Sequence, residues 1–435
     1  MRTSQIWFFL FIASLTCNIT YAQSGDQDEA SVNRNGSVVE PVIEHDENSE
    51  WVLVFNDPRP ARLQGWIRNS YSKGSGEYRG SLDLERFGRS MATKYKMELR
   101  DQWLIPSLGV YCLVVRFNDD ESKTMANLKM NKAVKWIQAS NDFKLLSVNS
   151  NSSSSEQSQP TQIDGNYVIK NADGNGVVIA IIDSAVDDSH QDLNGQIDQS
   201  GDFVVAGTSS NSSSNTEQRP GEQHGTAIAG VVIADRDTKL GVAGVAPGAT
   251  LRAYRGCWEN SDTQQTNCNT LSLARALDAV ISNNADILNL SLSGPKDILL
   301  DLLVQRLIDR GTLVVTAFDP ARPTTSRFPT QREGVLVVRA QDLDEKHTAF
   351  FTAPGARVVT SPGNTYDFMH GHSIASAYTS GLLALRKQVF ETQYSNSKNK
   401  IDWRTVSRDE AAEDLLNDII GDTNISPDNT TTAIQ

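Results

Sequence analysis

From residue 163 onward, short continuous apolar runs alternate with stretches in which apolar residues recur at helical spacing. A strand that is apolar throughout is buried on both faces, as in parallel sheets covered by helices. The runs predict strands over 176–182, 231–233, 251–254, 287–292, 312–317 and 334–338, and the periodic stretches predict helices over 271–281 and 297–308. The alternation predicts an α/β fold, with a mostly parallel sheet covered by helices on both faces.

Three residues stand where strands end or helices begin, which is where sheets of this kind place their active sites. Asp183 ends the first predicted strand, His224 opens a helix of small residues, and Ser373 opens another. A serine hydroxyl needs a base to take its proton, histidine supplies that base, and a carboxylate holds the histidine in the useful tautomer. Each residue alone is a weak signal, because a strand-end aspartate often only caps a helix. Together they predict a catalytic triad.

The neighbours of these residues resemble the motifs of the subtilisin-like serine proteases, the subtilase family. Asp183-Ser184 is followed by His190 and Leu193, and residues 224–230 fit the family pattern His-Gly-Thr-x-x-Ala-Gly in full. The serine motif is matched at Gly371, Ser373 and Ala375. The resemblance covers residues 163–390. It implies a subtilisin-like fold and a serine endopeptidase that hydrolyses peptides or proteins through an acyl-enzyme.

Further site residues follow from the resemblance alone. The stretch 287–294 looks like the family strand that pairs with the substrate backbone, which implies substrate contacts at Ser291, Leu292, Ser293 and Gly294. Asp319 stands where the family usually carries an asparagine that donates to the oxyanion. Loss of that amide in subtilisin itself costs about 10²–10³ in turnover, and an ionised carboxylate cannot donate. Asp319 is therefore the oxyanion candidate, and we expect faster catalysis at mildly acidic pH or in Asp319→Asn. Phe318, which replaces a glycine, is expected to narrow the pocket for the residue before the scissile bond.

A second interpretation is a subtilase-fold protein that is weakly active or inactive and serves as a binding or scaffold protein. Four departures from the family motifs favour it, at Ala185, Asp319, His372 and Ala377. The presence of all three triad residues favours the enzyme.

The N-terminus predicts export. Arg2 precedes a ten-residue apolar stretch over 6–15, and Thr20-Tyr21-Ala22 resembles a signal-peptidase site. We predict a signal peptide over 1–22 and a secreted or periplasmic protein with no membrane span after its removal. An uncleaved anchor and a lipoprotein attached through Cys17 are the alternatives. Residues 23–50 carry eight acidic residues and few large apolar ones, which predicts disorder.

Residues 51–148 form a basic module, with 16 basic against 10 acidic residues. Strand signals over 51–55 and 110–117, and a helix followed by a strand over 121–138, predict a small α+β domain. A Ser-rich linker over 149–162 separates it from the peptidase region over 163–390, and a polar tail over 391–435 carries one predicted helix at 409–420. The chain from 149 onward has 22 basic against 35 acidic residues, so the two parts are expected to dock.

The resemblance implies that this module is a propeptide, an intramolecular inhibitor; a permanent regulatory domain is the alternative. The net charge of −13 for the whole chain argues against non-specific binding of nucleic acid or anionic lipid.

The remaining candidates concern cysteines and metals. Cys257 and Cys268 flank a polar ten-residue segment, which predicts a disulfide, with two unpaired buried thiols as the alternative. Cys112 lies in an apolar run and is predicted to be a core residue. His370 and His372 are too few to fix a metal and are interpreted as surface residues. Calcium is implied by the resemblance only, and no ligand set is identified.

Overall fold

The structure is a computed structural model that describes residues 50–57, 82–118, 121–146, 172–204, 222–235, 242–259, 265–321, 327–341, 351–394 and 404. The predicted signal peptide, the linker, the tail helix and, except for residue 50, the acidic segment lie outside these residues.

A seven-stranded sheet forms the centre of the larger part of the fold. Its strands are β6 Val178–Asp183, β7 Ile197–Asp202, β8 Thr250–Arg255, β11 Ile287–Leu290, β13 Leu313–Ala317, β14 Val335–Ala340 and β15 Phe351–Ala353. Their spatial order is β15-β14-β13-β11-β6-β8-β7, and every neighbouring pair runs parallel. The predicted α/β fold with a mostly parallel sheet is confirmed.

Helices cover both faces of this sheet. One face packs against α3 Gln223–Ile233 and α6 His372–Tyr394, and the other against α4 Thr270–Asn283 and α5 Ile298–Asp309. Side chains of β6 alternate between the two faces, as strand geometry requires. Ile179 and Ile181 pack on the face covered by α3 and α6, while Ala180 and Ile182 pack on the face covered by α4 and α5. Burial on both faces explains why these strands are apolar throughout.

The strand predicted over 231–233 is wrong, because these residues are the last turn of α3. Three apolar residues in a row cannot distinguish a strand from a buried helix. α3 is buried along nearly its whole length, so it lacks the polar face that would reveal its helical period. Its small residues allow close packing, since a Cβ on Gly230 would lie 2.1 Å from Oγ1 of Thr360.

The N-terminal module, here the described residues between 50 and 146, contains β1 Trp51–Asn56, α1 Leu82–Lys94, β2 Met97–Ile105, β3 Val110–Phe117, α2 Glu121–Lys129 and β4 Val134–Ala139. Its four strands form an antiparallel sheet in the order β2-β3-β1-β4. The predicted strands and the predicted helix are all present. The last strand of the module, β5 Asp142–Leu145, belongs to a different sheet.

One face of the module's sheet packs against α4 and α5. Val52, Val54 and Cys112 share an apolar cluster with residues of those two helices. Cys112 is fully buried, as predicted, and burial raises the pKa of its thiol well above the ordinary value. At the edge of this contact, Arg275 of α4 forms an ion pair with Asp101 of the module, with the two charged atoms 3.0 Å apart. The module and the helices therefore share one core.

Among the described residues, no helix is both long enough and apolar enough to cross a membrane.

Candidate active site

Asp183 and His224 meet at the carboxyl end of the central sheet. β6 ends at Asp183, and α3 places His224 in its first turn. His224 Nδ1 lies 2.8 Å from Asp183 Oδ1, and the backbone N–H of Ser184 donates to the same oxygen at 2.7 Å. Asp183 is only 1 % exposed. A buried carboxylate that accepts from Nδ1–H leaves Nε2 of the imidazole free to accept a proton.

Ser373 lies in the first turn of α6 and is fully buried. Its Oγ donates to the carbonyl oxygen of Leu146 at 3.3 Å. Within the described part of the chain, His224 Nε2 is buried without a hydrogen-bond partner. The hydroxyl is thus directed at a carbonyl of the module. Catalytic hydrogen bonds are often long or unformed before reaction, so this arrangement is compatible with a triad.

The segment that ends at Leu146 occupies a cleft between two strands. β5 pairs antiparallel with β12 Leu292–Ser293 on one side and with β10 Thr266–Asn269 on the other. The backbone N–H of Leu146 donates to the carbonyl of Ser291 at 3.1 Å. A peptide is therefore held in extended form up to the carbonyl that faces Ser373.

The four residues predicted to contact substrate all line this segment. Ser291 accepts its hydrogen bond, Leu292 pairs with Leu145, and Ser293 pairs with Lys144. Gly294 makes room for Phe143, because a Cβ at this position would lie 2.1 Å from Cδ1 of that ring. Sequence reasoning missed both β5 as the bound strand and β10 as the second edge of the cleft, since no local signal marks either pairing.

A disulfide bond supports the second edge of the cleft. Cys257 in β9 Cys257–Glu259 is bonded to Cys268 in β10, and both residues are fully buried. Cys268 lies opposite Phe143 in the register of β10 and β5. The predicted disulfide is present, and it fixes the strand against which the bound segment lies.

Comparison with known proteins identifies the family. A model of the subtilase family matches residues 174–421, more than half of the chain. This chain belongs to the subtilase family. Subtilisin E of Bacillus subtilis is 30 % identical over 226 residues, which are 49 % of this chain and 55 % of that protein. Thermitase of Thermoactinomyces vulgaris is 29 % identical over 242 residues, 53 % of this chain and 82 % of that protein. The chain thus spans about half the length of subtilisin E.

A solved structure supports the fold. Fervidolysin from Fervidobacterium pennivorans matches with a TM-score of 0.56 at 17 % identity, covering 82 % of this subtilase and 57 % of that chain. At this identity the likeness concerns the fold alone.

Asp319 of this subtilase follows β13 at the carboxyl end of the sheet. Its Oδ1 accepts the backbone N–H of Ala321 at 3.0 Å. In the described parts of the chain, no hydrogen bond joins Asp319 to Ser373 or Leu146. The neighbouring Phe318 is buried, and its ring packs edge-on against His372 with centroids 5.4 Å apart. Asp319 therefore caps a local turn, with its carboxylate in use as an acceptor.

The interpretation of His370 and His372 as surface residues is wrong. His372 is 9 % exposed, and its Nδ1 accepts the N–H of Ala340 at 2.9 Å. Both ring nitrogens of His370 are buried. The two histidines lie just before Ser373, where α6 follows the hairpin of β16 Ala356–Ser361 and β17 Thr365–His370.

The carboxylates after Asp183 serve the local loop. Although burial alone would raise the pKa of Asp187, hydrogen bonds from Ser189 and Gly363 lower it. Asp192 accepts from the hydroxyl of Tyr366, while its Oδ1 is buried without a partner in the described part of the fold. One such oxygen is too little to define a cation site, and the described residues contain no group of three or more potential metal ligands. Calcium thus stays an expectation from family resemblance.

Proposed function

We propose that this subtilase is a secreted serine endopeptidase made as a precursor, in which the N-terminal module blocks the cleft until Ser373 cuts after Leu146. The observation that carries the proposal is the position of the Leu146 carbonyl, whose oxygen lies 3.3 Å from Ser373 Oγ. Leu146 directly follows β5, a strand that is paired on both sides. Export is supported by the signal-like N-terminus and by the disulfide, which suits an oxidising compartment.

The proposed reaction uses each member of the triad in a defined role. Ser373 Oγ attacks the carbonyl carbon of Leu146 while His224 Nε2 takes the serine proton. His224 then gives that proton to the leaving amine of Ser147, and Asp183 stabilises the imidazolium. Water hydrolyses the resulting acyl-enzyme in the reverse sequence. We propose that backbone N–H groups at the start of α6 receive the oxyanion.

The first test is the intact mass of the full chain over time after refolding. We expect loss of the module by a cut between Leu146 and Ser147. Ser373→Ala should remain intact under the same conditions, because its side chain cannot form an acyl-enzyme. If both proteins stay intact and no added peptide is cleaved, the binding or scaffold function replaces the enzyme. The engaged carboxylate of Asp319 is the observation that favours that second function.

The bound segment also predicts a substrate preference. Phe143, fourth before the proposed cut, is fully buried and packs against Phe328 with ring centroids 5.5 Å apart. Lys144, by contrast, is exposed. Peptides containing Phe-Lys-Leu-Leu should be cleaved after the second leucine by the processed protein. Replacing the peptide's phenylalanine by alanine should lower kcat/KM about 10–100-fold, because burying a large apolar side chain contributes about 1.5–3 kcal/mol.

The matched control replaces the peptide's lysine by alanine, which should change kcat/KM less than about threefold since this side chain lies outside the cleft. Equal effects of the two replacements would contradict the proposed occupancy of the cleft.

A further inference from the structure

A buried charged cluster lies behind the Asp183–His224 pair. It consists of Glu222, just before α3, Arg255 at the end of β8, and Asp202 at the end of β7. Glu222 is 5 % exposed and Arg255 is 9 % exposed. Sequence reasoning missed all three residues, since only their positions beside a histidine or at strand ends could have drawn attention to them.

The guanidinium of Arg255 uses all three of its nitrogens within the cluster. Nε donates to Glu222 Oε2 at 2.7 Å, Nη2 donates to Glu222 Oε1, and Nη1 donates to Asp202 Oδ2 at 2.9 Å. Burial alone would lower the pKa of Arg255, but the hydrogen bonds and charges of the two carboxylates raise it. A two-pronged pairing of this kind fixes orientation as well as charge.

The same carboxylate reaches the loop that follows the catalytic aspartate. Glu222 Oε2 accepts the backbone N–H of Ala185 at 2.7 Å. Arg255 lies opposite Asp183 in the register of β8 and β6, and the next residue, Gly256, donates its N–H to the Asp183 carbonyl at 3.0 Å. Since Glu222 also stands two residues before His224, one side chain joins the segments that carry both members of the pair.

We infer that Glu222 and Arg255 are positioning residues for the Asp183–His224 pair. They hold the geometry of the pair and set the electrostatic potential at the His224 imidazole. The inference rests on the proposed peptidase function. Removing two ions from water is costly, and buried ion pairs are often replaceable by apolar residues without loss of stability. A buried pair whose carboxylate also binds the loop after Asp183 is therefore better explained by a role in the site than by stability.

The segments that adjoin α3, together with the neighbouring strand β7, carry several charged or titratable groups. They are Asp183 on β6, Asp202 on β7, Arg255 on β8, Glu259 on β9, Asp367 on β17, which binds Gln223, His372 on α6, and Glu222 itself. Burial and, next, the Glu222 carboxylate raise the pKa of Glu259, while His224 lowers it. Glu259 therefore interacts electrostatically with both Glu222 and His224.

The test follows the first-order rate of self-cleavage of the full chain as a function of pH. Glu222→Gln removes a negative charge, so the pKa of His224 should fall and the acid limb of the profile should move to lower pH. Arg255→Met removes the positive charge, so the acid limb should move to higher pH. Each shift should be about half to one pH unit, and each variant should cleave about tenfold more slowly on the plateau.

The double variant Glu222→Gln/Arg255→Met separates charge from geometry. It removes one charge of each sign, so its acid limb should return to within about 0.2 pH units of wild type while its plateau rate stays low. Asp198→Asn is the matched control. Asp198 on β7 pairs with Arg252 on β8, as Asp202 pairs with Arg255 on the same two strands, but Asp198 is 52 % exposed. This control should leave both the acid limb of the pH profile and the plateau rate of self-cleavage unchanged. Single variants that slow cleavage without opposite shifts would overturn the inference and leave a merely structural role.

A failure of the proposed peptidase function can be distinguished from a failure of the inference about Glu222 and Arg255. If wild type does not cleave itself or any added peptide, the peptidase proposal fails, while the pKa of His224 remains measurable from its imidazole proton resonances in the Ser373→Ala chain. Opposite shifts of that pKa in the two single variants support the effect of Glu222 and Arg255 on His224, and shifts in one direction, or none, overturn it.

Discussion

Replacing Asp183 by asparagine is expected to slow self-cleavage of the full chain about 10⁴-fold while the chain still folds. Asp183 accepts hydrogen bonds from His224 Nδ1 and from the N–H of Ser184. The oxygen of an asparagine can still accept both hydrogen bonds, but the neutral amide cannot stabilise the imidazolium that forms when His224 takes the proton of Ser373. The measurement is the first-order rate of appearance of the module by mass at pH 7.

The control for this prediction is again Asp198→Asn, which makes the same chemical change at an exposed position. Its rate should match wild type, and the free energy of unfolding of Asp183→Asn should lie within about 2 kcal/mol of wild type. Self-cleavage within tenfold of wild type would mean that another group orients His224, and it would remove Asp183 from the triad.

Local pattern in the sequence predicts where Asp183, His224 and Ser373 lie in the fold. The structure has Asp183 at the end of a strand and the other two in the first turns of helices. The central strands could be found because burial on both faces makes them apolar throughout. The last turn of α3 was misread as a strand for the same reason, since complete burial removes the helical period.

The parts that could not be read from the sequence depend on pairing between distant segments. Phe143 lies against Cys268, and Leu145 against Leu292, across more than a hundred residues. The strand β5 is four residues long and lies in a polar context, so its sequence does not indicate which strands it pairs with. The link from Glu222 to Arg255 is likewise non-local, and in the sequence each residue resembles an ordinary surface charge.

Replacing Asp319 by asparagine is expected to accelerate self-cleavage about 10²–10³-fold, the reverse of the loss seen when the corresponding amide is removed from subtilisin. The carboxylate of Asp319 already accepts the N–H of Ala321 at 3.0 Å. The Oδ1 of an asparagine keeps that hydrogen bond, and its amide nitrogen becomes available to donate towards the oxyanion that forms on Leu146. The local turn therefore keeps its hydrogen bond in the variant.

Asp319→Ala separates the new donor from the loss of negative charge. Alanine removes the carboxylate as asparagine does, but it supplies neither the donor nor the acceptor for Ala321. A gain in Asp319→Asn that is absent from Asp319→Ala assigns the effect to the donated hydrogen bond. Equal gains would show that charge repulsion alone limits the wild type, and an unchanged rate in both would place the oxyanion at the backbone donors of α6, out of reach of residue 319. Because the three results differ in sign or size, this pair of variants decides what the aspartate does at the carboxyl end of β13.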